Sequence, residues 1–271
     1  MGTSTKKIAK PASKTSKKID SNSGRALVYI CGESPMLEEY AELCASKNYD
    51  VLVSLNDGSK PTFASKNIRH STSIHSSVSI AIELTNIDRS AKRANIAKLD
   101  KSLPRTAPIL SSSVTVSATE QSTWMTEKHR LVGFAALPTL IEKPLVEVAP
   151  TVFSPCETVD VVQRFYQSLG KEIELVQDRV GMVVPRIVCQ LINEAAFALQ
   201  EEIASPQDID TAMKLGVNYP HGPIEWAEKI GVPHVYAVLS ALEQDLHEDR
   251  YRIAPLLKHM AVAGEWWKKR A

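Results

Sequence analysis

The sequence predicts an α/β domain with a mostly parallel sheet, followed by an all-α domain. Up to about residue 178, short apolar runs rich in β-branched residues alternate with helical stretches. These runs are apolar throughout, which is typical of parallel strands that helices cover on both faces. After residue 178 only helical periodicity follows. We therefore place the first domain at residues 25–178 and the second at residues 179–271.

The first elements form a βαβ unit. A strand is predicted over Ala26–Cys31, a helix over about Met36–Lys47, and a second strand over Val51–Leu55. Residues 57–77 are polar, contain a glycine and a proline, and show no helical period. This composition predicts a loop.

Five strands and two helices complete the first domain. The first helix is predicted over about Asp88–Leu103. In the second, Ser154 is the expected N-cap, with proline at the next position and a capping box closed by Glu157, and Gly170 follows its end. The predicted strands are Val78–Leu84, Pro108–Leu110, Leu131–Leu137, Leu145–Val148 and Glu172–Val176.

The sequence of the second domain predicts a set of amphipathic helices. Apolar residues recur at three- and four-residue steps from Val184 to Leu199, so one face of this helix meets a core. Ser205 is the predicted N-cap of the next helix, which Gly216 should end. Two more helices are predicted near Val235–Leu246 and Leu256–Ala263.

Composition excludes several classes of protein. The chain has 271 residues, 44% of them apolar and 23% charged, which is an ordinary globular balance. Its apolar runs are far shorter than the roughly 20 residues that cross a bilayer, so we expect no membrane-spanning segment. The four cysteines lack CxxC spacing, which argues against a metal site and against a disulfide framework. We therefore expect a reducing, cytoplasmic location.

Charge is unevenly distributed along the chain. Residues 1–24 contain six lysines and one aspartate, a charge of +5, whereas the whole chain carries +1. This tail is too polar to offset the entropy of ordering, so we expect it to be disordered. A solubilising role is favoured over nucleic-acid contact, because no basic stripe follows downstream.

A long ordered series of motifs runs through the second domain. It begins with Asp178-x-x-Gly181-x-Val183-Val184-x-Arg186 and Asn193-Glu194-Ala195, and continues with Ala204-Ser205-Pro206-x-Asp208-Ile209-Asp210-x-Ala212-Met213-Lys214-Leu215-Gly216 and Tyr219-Pro220-x-Gly222-Pro223-x-Glu225. This series strongly resembles the C-terminal domain of the 3-hydroxyacyl-CoA dehydrogenases. The first domain is similar more faintly, through Glu83, Leu99-Asp100-Lys101, Gly133 and Leu145-Val146-Glu147-Val148.

The resemblance covers about residues 25–265 and implies a fold and an activity. It implies a Rossmann-like first domain that binds NAD and a helical domain through which the protein forms homodimers. It also implies oxidation of the 3-hydroxyl group of an acyl-CoA. Each implication can be compared with the residues that are present.

The turn after the first strand departs from the dinucleotide pattern. That pattern is G-x-G-x-x-G, with an acidic residue at the end of the second strand for the ribose. Here the turn is Gly32-Glu33-Ser34-Pro35-Met36-Leu37, and the acidic position falls on Leu55. Only Gly32, with Glu83 on a later strand, remains as a cofactor-binding candidate. We expect no NAD cofactor and a plain βα turn, with NAD binding as the alternative.

The catalytic positions that the resemblance implies are also changed. The family's histidine falls on Ala135, its asparagine on Pro185 and its serine on Val114. Glu147 stands twelve residues after Ala135, at the position of the glutamate that orients the histidine. It is the only retained candidate for a catalytic role.

No other residue replaces the missing base. Without a histidine, Glu147 is expected to be solvated or paired with Arg130 or Lys143. His221 is interpreted as a surface or interdomain residue, and His75, His234, His247 and His259 as surface residues. Three basic residues of the polar loop, Lys60, Lys66 and Arg69, are possible phosphate contacts, although solvated charges are the commoner case.

The sequence therefore supports a main hypothesis and two alternatives. The main hypothesis is a family member without hydride-transfer activity that acts as a homodimeric, non-catalytic partner or as an acyl-CoA binder. The first alternative is an active NAD-dependent 3-hydroxyacyl-CoA dehydrogenase whose catalytic groups are rearranged. The second is another reaction with Glu147 as acid or base. Near the C-terminus, Trp266 and Trp267 suggest either a contact patch or packing of the chain end.

Overall fold

The computed structural model describes residues 24–264. The basic tail up to residue 23 and the Trp266–Trp267 pair lie outside the described residues. Within residues 24–264, no helix is both long and apolar enough to span a bilayer. The same residues contain no group of three or more His, Cys, Asp or Glu side chains placed to hold a metal ion.

An eight-stranded sheet forms the centre of the described part of the first domain. The strand order is β3-β2-β1-β4-β5-β6-β7-β8, and all neighbours are parallel except β6 and β7, which are antiparallel. The predicted mostly parallel sheet is therefore confirmed. The strands are β1 Leu27–Gly32, β2 Asp50–Leu55, β3 Ile68–His70, β4 Val78–Leu84, β5 Ile109–Ser112, β6 Leu131–Phe134, β7 Leu145–Pro150 and β8 Glu172–Leu175.

Helices cover both faces of this sheet. One face packs against α1 and α4, and the opposite face against α2 and the short α3. The Asp88 side chain caps α2 by accepting hydrogen bonds from two backbone N–H groups of its first turn. These helices are α1 Met36–Ser46, α2 Arg89–Ser102, α3 Ala118–Ser122 and α4 Cys156–Ser168.

All the regular secondary structure in the described residues of the second domain is helical, as predicted. Its apolar core is built mainly from α5, α7, α8 and α9. The long α5 presents one buried face, because its apolar residues recur at helical spacing. The helices are α5 Val184–Gln200, α6 Pro206–Val217, α7 Pro223–Ile230, α8 Val232–Leu246 and α9 Pro255–Ala263.

Two predicted helix ends are wrong and one is confirmed. Ser154 does not cap α4, because its hydroxyl donates to the carbonyl of Leu131 at 2.8 Å and no side chain caps that helix. Gly216 does not end α6, which continues to Val217 and stops where Asn218 adopts a left-handed conformation. Ser205 does cap α6, with its hydroxyl accepting from the backbone N–H group of Asp208.

Three short elements were missed. The predicted loop at residues 57–77 contains β3, whose three residues are too few to show a period. The five-residue α3 is equally short. The eight-residue α7 starts directly after Gly222, where the Gly-Pro pair also fitted a turn. In each case tertiary packing stabilises a segment that carries little local signal.

Candidate functional site

The strand order reverses between β1 and β4, which creates a crevice at the carboxyl ends of these strands. In open α/β sheets, ligands bind at such a switch point. Residues after β1, β2, β4 and β5 meet around it. The side chains in this crevice therefore decide what the first domain can bind.

Gly32 ends β1 in a conformation that excludes a side chain. Its φ is +144°, and a Cβ atom there would lie 2.6 Å from the backbone carbonyl group of Leu84. The close approach of β1 to β4 thus requires glycine. Packing alone explains this residue, so Gly32 is no longer evidence for a cofactor.

Glu33 extends from the turn after β1 to the loop after β4. Its Oε1 accepts hydrogen bonds from the backbone N–H groups of Asn86 at 2.6 Å and Ile87 at 3.0 Å. Burial raises the pKa of Glu33, while these two hydrogen bonds act in the opposite direction. The chain therefore places its own carboxylate across the switch point.

His234 reaches the same place from the helical domain. It is 5% exposed, and its Nδ1 lies 3.8 Å from Glu33 Oε1. Burial lowers the pKa of His234 to about 4, opposed by a hydrogen bond to the backbone of Ser34. The prediction of a surface histidine is wrong, because α8 packs its first turn onto the turn after β1.

Glu83 lies in a buried ion pair beneath the crevice. Its carboxylate pairs with the ammonium group of Lys92 and accepts a hydrogen bond from the Ser111 hydroxyl at 3.0 Å. Lys92 also donates to the carbonyl of Ser112 at 2.8 Å. Both charged side chains are almost fully buried. A ligand would have to break this pair to reach Glu83, which supports a structural role for it.

Polar groups fill the side of the crevice next to β2. The side-chain amide of Asn56 donates to the Thr85 hydroxyl at 2.9 Å. Its Oδ1 accepts from the side-chain amide of Asn95, also at 2.9 Å. Leu55, at the position expected for an acidic residue, is buried. The carboxylate that follows β2 belongs to Asp57, two residues after Leu55, and it accepts a hydrogen bond from the backbone N–H group of Ser59 at 2.9 Å.

An apolar cluster joins the two domains next to the crevice. Val114, Ala135 and Leu137 of the first domain pack in one core cluster with Met182 and Leu242 of the helical domain. The backbone N–H group of Gly181 donates to the carbonyl of Val114 at 3.0 Å, which continues the contact. None of these five side chains carries a polar group that could transfer a proton.

Glu147 stabilises the start of the helical domain. It is 7% exposed, and its two oxygens accept hydrogen bonds from the backbone N–H groups of Val183 at 2.8 Å and Val184 at 2.7 Å. These groups begin α5, where a carboxylate interacts favourably with unpaired N–H groups. The expectation of a solvated residue, or of one paired with Arg130 or Lys143, is wrong. Glu147 is buried and bound to these N–H groups, and Arg130 pairs instead with Asp100 at 2.8 Å.

Comparison with known proteins identifies the family. The model for the NAD binding domain of 3-hydroxyacyl-CoA dehydrogenase matches residues 57–179, and the model for the C-terminal domain matches residues 181–271. The chain belongs to the 3-hydroxyacyl-CoA dehydrogenase family. The first match begins after β1, α1 and β2, so it leaves out the turn whose pattern is changed.

Relatives and solved structures agree with this assignment. A probable 3-hydroxybutyryl-CoA dehydrogenase of Bacillus subtilis is 30% identical over 70% of this chain and 66% of its own length. The 3-hydroxyadipyl-CoA dehydrogenase of Escherichia coli is 39% identical over 44% of this chain and 25% of its own length. The chain thus spans less than two thirds of these relatives. The (S)-3-hydroxybutyryl-CoA dehydrogenase of Ralstonia eutropha has a TM-score of 0.74 at 28% identity, covering 89% of this chain and 94% of that protein.

The positions implied for the family's catalytic groups are apolar and enclosed. Ala135 and Val114, the implied histidine and serine positions, belong to the cluster that joins the domains. Pro185, the implied asparagine position, is buried in the first turn of α5. The position that the resemblance implies for the proton acceptor, Ala135, therefore carries a buried methyl side chain.

The residues in the crevice depart from those that a dinucleotide site requires. The Glu33 carboxylate spans the crevice, where a dianionic ligand would have to lie. The Ser34 hydroxyl is bonded to the Glu38 carboxylate, and Leu55 stands in place of the ribose acid. A negative side chain beside a pyrophosphate is unfavourable, so the residues present oppose the cofactor.

Sequence reasoning missed Lys92 and misplaced His234. A signal for Lys92 existed, because it lies four residues before Ile96 and seven before Leu99 on the buried face of α2. For His234 no local signal existed. Its partner Glu33 comes from the other domain, and only folding brings them together.

Proposed function

We propose that this chain has lost hydride transfer and acts as a homodimeric, non-catalytic family member in the cytoplasm. The observation that carries the proposal is the position of Ala135, the implied histidine site, within the apolar cluster that joins the domains. Oxidation of a 3-hydroxyl group needs a base within hydrogen-bond reach of the proton. A methyl side chain in an apolar cluster cannot serve as that base.

The size of the expected loss supports the proposal. A positioned general base contributes about 10² to 10⁴ in rate. The crevice also holds Glu33 where the cofactor would lie, so the hydride acceptor is opposed as well. Both effects act against the same reaction.

The rival function is an active NAD-dependent dehydrogenase, which the match to an NAD binding domain favours. This function requires a base and a cofactor-binding site that differ from those implied by the family resemblance. The use of Glu147 as acid or base in another reaction has less support. Both of its oxygens are bound to the first N–H groups of α5, so the group is engaged in holding that helix.

The homodimer is supported by exposed apolar side chains on two helices of the helical domain. Helix α6 has no buried residue, and its Leu215 is 83% exposed, with Val217 exposed beside it. Val184 and Ile187 of α5 are exposed too. A second copy of the chain would remove this apolar surface from water.

Acyl-CoA binding is the other non-catalytic role. A cavity of about 330 Å³ lies beyond the carboxyl ends of β2 and β3, lined among others by Lys60, Ser59 and His70. Lysine at such a cavity suits the phosphates of CoA. Lys66 and Arg69, which the sequence also suggested, are not among its lining residues.

Turnover and cofactor titration test the loss of activity. We expect neither oxidation of NADH with acetoacetyl-CoA, followed at 340 nm, nor saturable NADH binding. An active 3-hydroxybutyryl-CoA dehydrogenase, assayed in parallel, is the positive control. Clear turnover together with saturable binding would reject the proposal and establish the rival.

Light scattering after size-exclusion chromatography tests the dimer. We expect a mass near twice 29.8 kDa. A charge at one of these exposed apolar positions, Leu215→Glu, should give the monomer, whereas Val152→Glu, at a similarly exposed position in the first domain, should stay dimeric. A monomeric wild-type protein would contradict the prediction.

A further inference from the structure

We propose that the loop after β4 is an oxyanion site, that Glu33 is its built-in occupant, and that phosphate-type anions bind there once this side chain is removed. This inference deepens the proposed function and rests on it, because it assumes that the crevice is closed to a dinucleotide in the wild-type chain. The ligand class is an oxyanion with at least two charged oxygens, such as pyrophosphate.

The loop after β4 directs a series of backbone N–H groups at carboxylates of this chain. Glu33 Oε1 accepts from two consecutive groups, at 2.6 and 3.0 Å. Converging backbone N–H groups of this kind form the concave sites that bind phosphates in many folds. In this loop Thr85 is bound to Glu83, and Asn86 and Ile87 are bound to Glu33. The next N–H groups, of Ser90 and Ala91, belong to the first turn of α2 and are bound to its cap, Asp88.

Glu33 differs from the other two carboxylates that accept these hydrogen bonds. Glu83 and Asp88 lie within a few residues of the N–H groups they bind, so their hydrogen bonds are local contacts of the β4–α2 connection. Glu33 comes from the turn after β1 and crosses the switch point. Its side chain is 17% exposed, so solvent reaches it. Of the three, only this carboxylate occupies a place that an outside ligand could take.

His234 supplies a second, independent observation. Its ring is buried, and its Nδ1 finds no hydrogen-bond partner in the described part of the chain, although it lies 3.8 Å from Glu33 Oε1. A buried nitrogen without a partner is costly, and here it is directed at the oxyanion position. With Glu33 removed, Nδ1 and the N–H groups of Asn86 and Ile87 would surround an external anion from both domains.

The variant Glu33→Ala tests the site with inorganic pyrophosphate as the probe. We expect it to melt below the wild type, because the backbone N–H groups of Asn86 and Ile87 lose their acceptor. Pyrophosphate should raise its melting temperature by about 5 to 10 °C at a concentration 100-fold above Kd. The wild type, with the site filled, should show no rise.

Two matched variants separate the site from a change in net charge. Glu42→Ala removes a carboxylate of α1 that also accepts a backbone N–H group, from Ala64 at 2.7 Å. Glu33→Gln keeps an acceptor oxygen in place without the charge. We expect no response to pyrophosphate in either. An equal response in Glu42→Ala or in the wild type, or no response in a folded Glu33→Ala, would overturn the inference.

A measurement on the wild type keeps the proposal testable if Glu33→Ala fails to fold. The amide proton shifts of Asn86 and Ile87 should follow a single carboxyl titration with a pKa above the usual glutamate range, since burial raises the pKa of Glu33. If both shifts are independent of pH, the inference is wrong. NADH turnover by the wild type would instead refute the proposed function, so the two failures are distinguishable.

Discussion

Glu147 and His234 illustrate how a side chain's neighbours determine its role. Glu147 keeps the position of a catalytic orienting group that the resemblance implies, yet its oxygens bind the first N–H groups of α5. His234 looks like a surface residue in the sequence and is buried beside Glu33. Residue type and spacing therefore did not determine function at either position.

The buried histidine has a measurable effect on stability. Its pKa of about 4 in the folded protein lies below the value of about 6.5 in an unfolded chain. Between these pH values the unfolded state binds a proton that the folded state does not. The free energy of unfolding is therefore unaffected by protonation of His234 above pH 6.5. It falls by up to about 3 kcal/mol as the pH is lowered towards 4.

Urea unfolding of His234→Leu at pH 7 and pH 5 tests this effect. We expect the variant to lose less stability than the wild type between the two pH values. The control His259→Leu replaces an exposed histidine on α9 and should keep the wild-type difference. Equal pH dependence in His234→Leu and the wild type would contradict the lowered pKa.

Among the elements, α6 and α7 differ in what their glycines do. Gly216 lies inside α6 with open space around it, so it only weakens the helix. At Gly222, which precedes α7, a Cβ atom would lie 2.1 Å from the carboxyl group of Asp210. That carboxylate accepts from the N–H groups of Ile224 at 2.9 Å and Glu225 at 3.0 Å, and so caps α7.

Alanine at the two glycines should have opposite effects. Gly216→Ala should stabilise the protein by about 0.5 to 1 kcal/mol. Gly222→Ala should destabilise it by at least about 1 to 2 kcal/mol, because the capping carboxylate must move. Chemical denaturation of both variants measures the changes in the free energy of unfolding. Equal effects would show that the Asp210 contact does not stabilise α7.

At the scale of the whole molecule, the apolar cluster couples the two domains. Leu137 of the first domain is 2% exposed and packs in the same cluster as Leu242 of α8. Leu137→Ala should lower the free energy of unfolding by about 2 to 5 kcal/mol. Hydrogen exchange should show reduced protection in both β5 and α8. The exposed Leu175→Ala on β8 is the control, and an effect confined to the first domain would argue against coupling.

The sequence predicted the architecture well because its signals are local. The apolar runs predicted the strands β1, β2 and β4, and the helical period of Val184–Leu199 predicted α5. Elements with three to eight residues, such as β3 and α7, were missed because they contain too few residues to show a period. The departures from the dinucleotide-binding pattern could also be recognised in the sequence, because the residues of that motif are consecutive.

By itself the sequence determined the α/β and helical order, the family and the absence of the implied histidine at Ala135. Only the tertiary structure decided that Glu33 spans the crevice, that Glu147 holds α5 and that Ala135 and Val114 lie in the apolar cluster between the domains. Secondary structure depends on neighbours within a few residues, which the chain itself displays. A side chain's partner comes from any distance along the chain, and burial and charge act only after folding brings the two together.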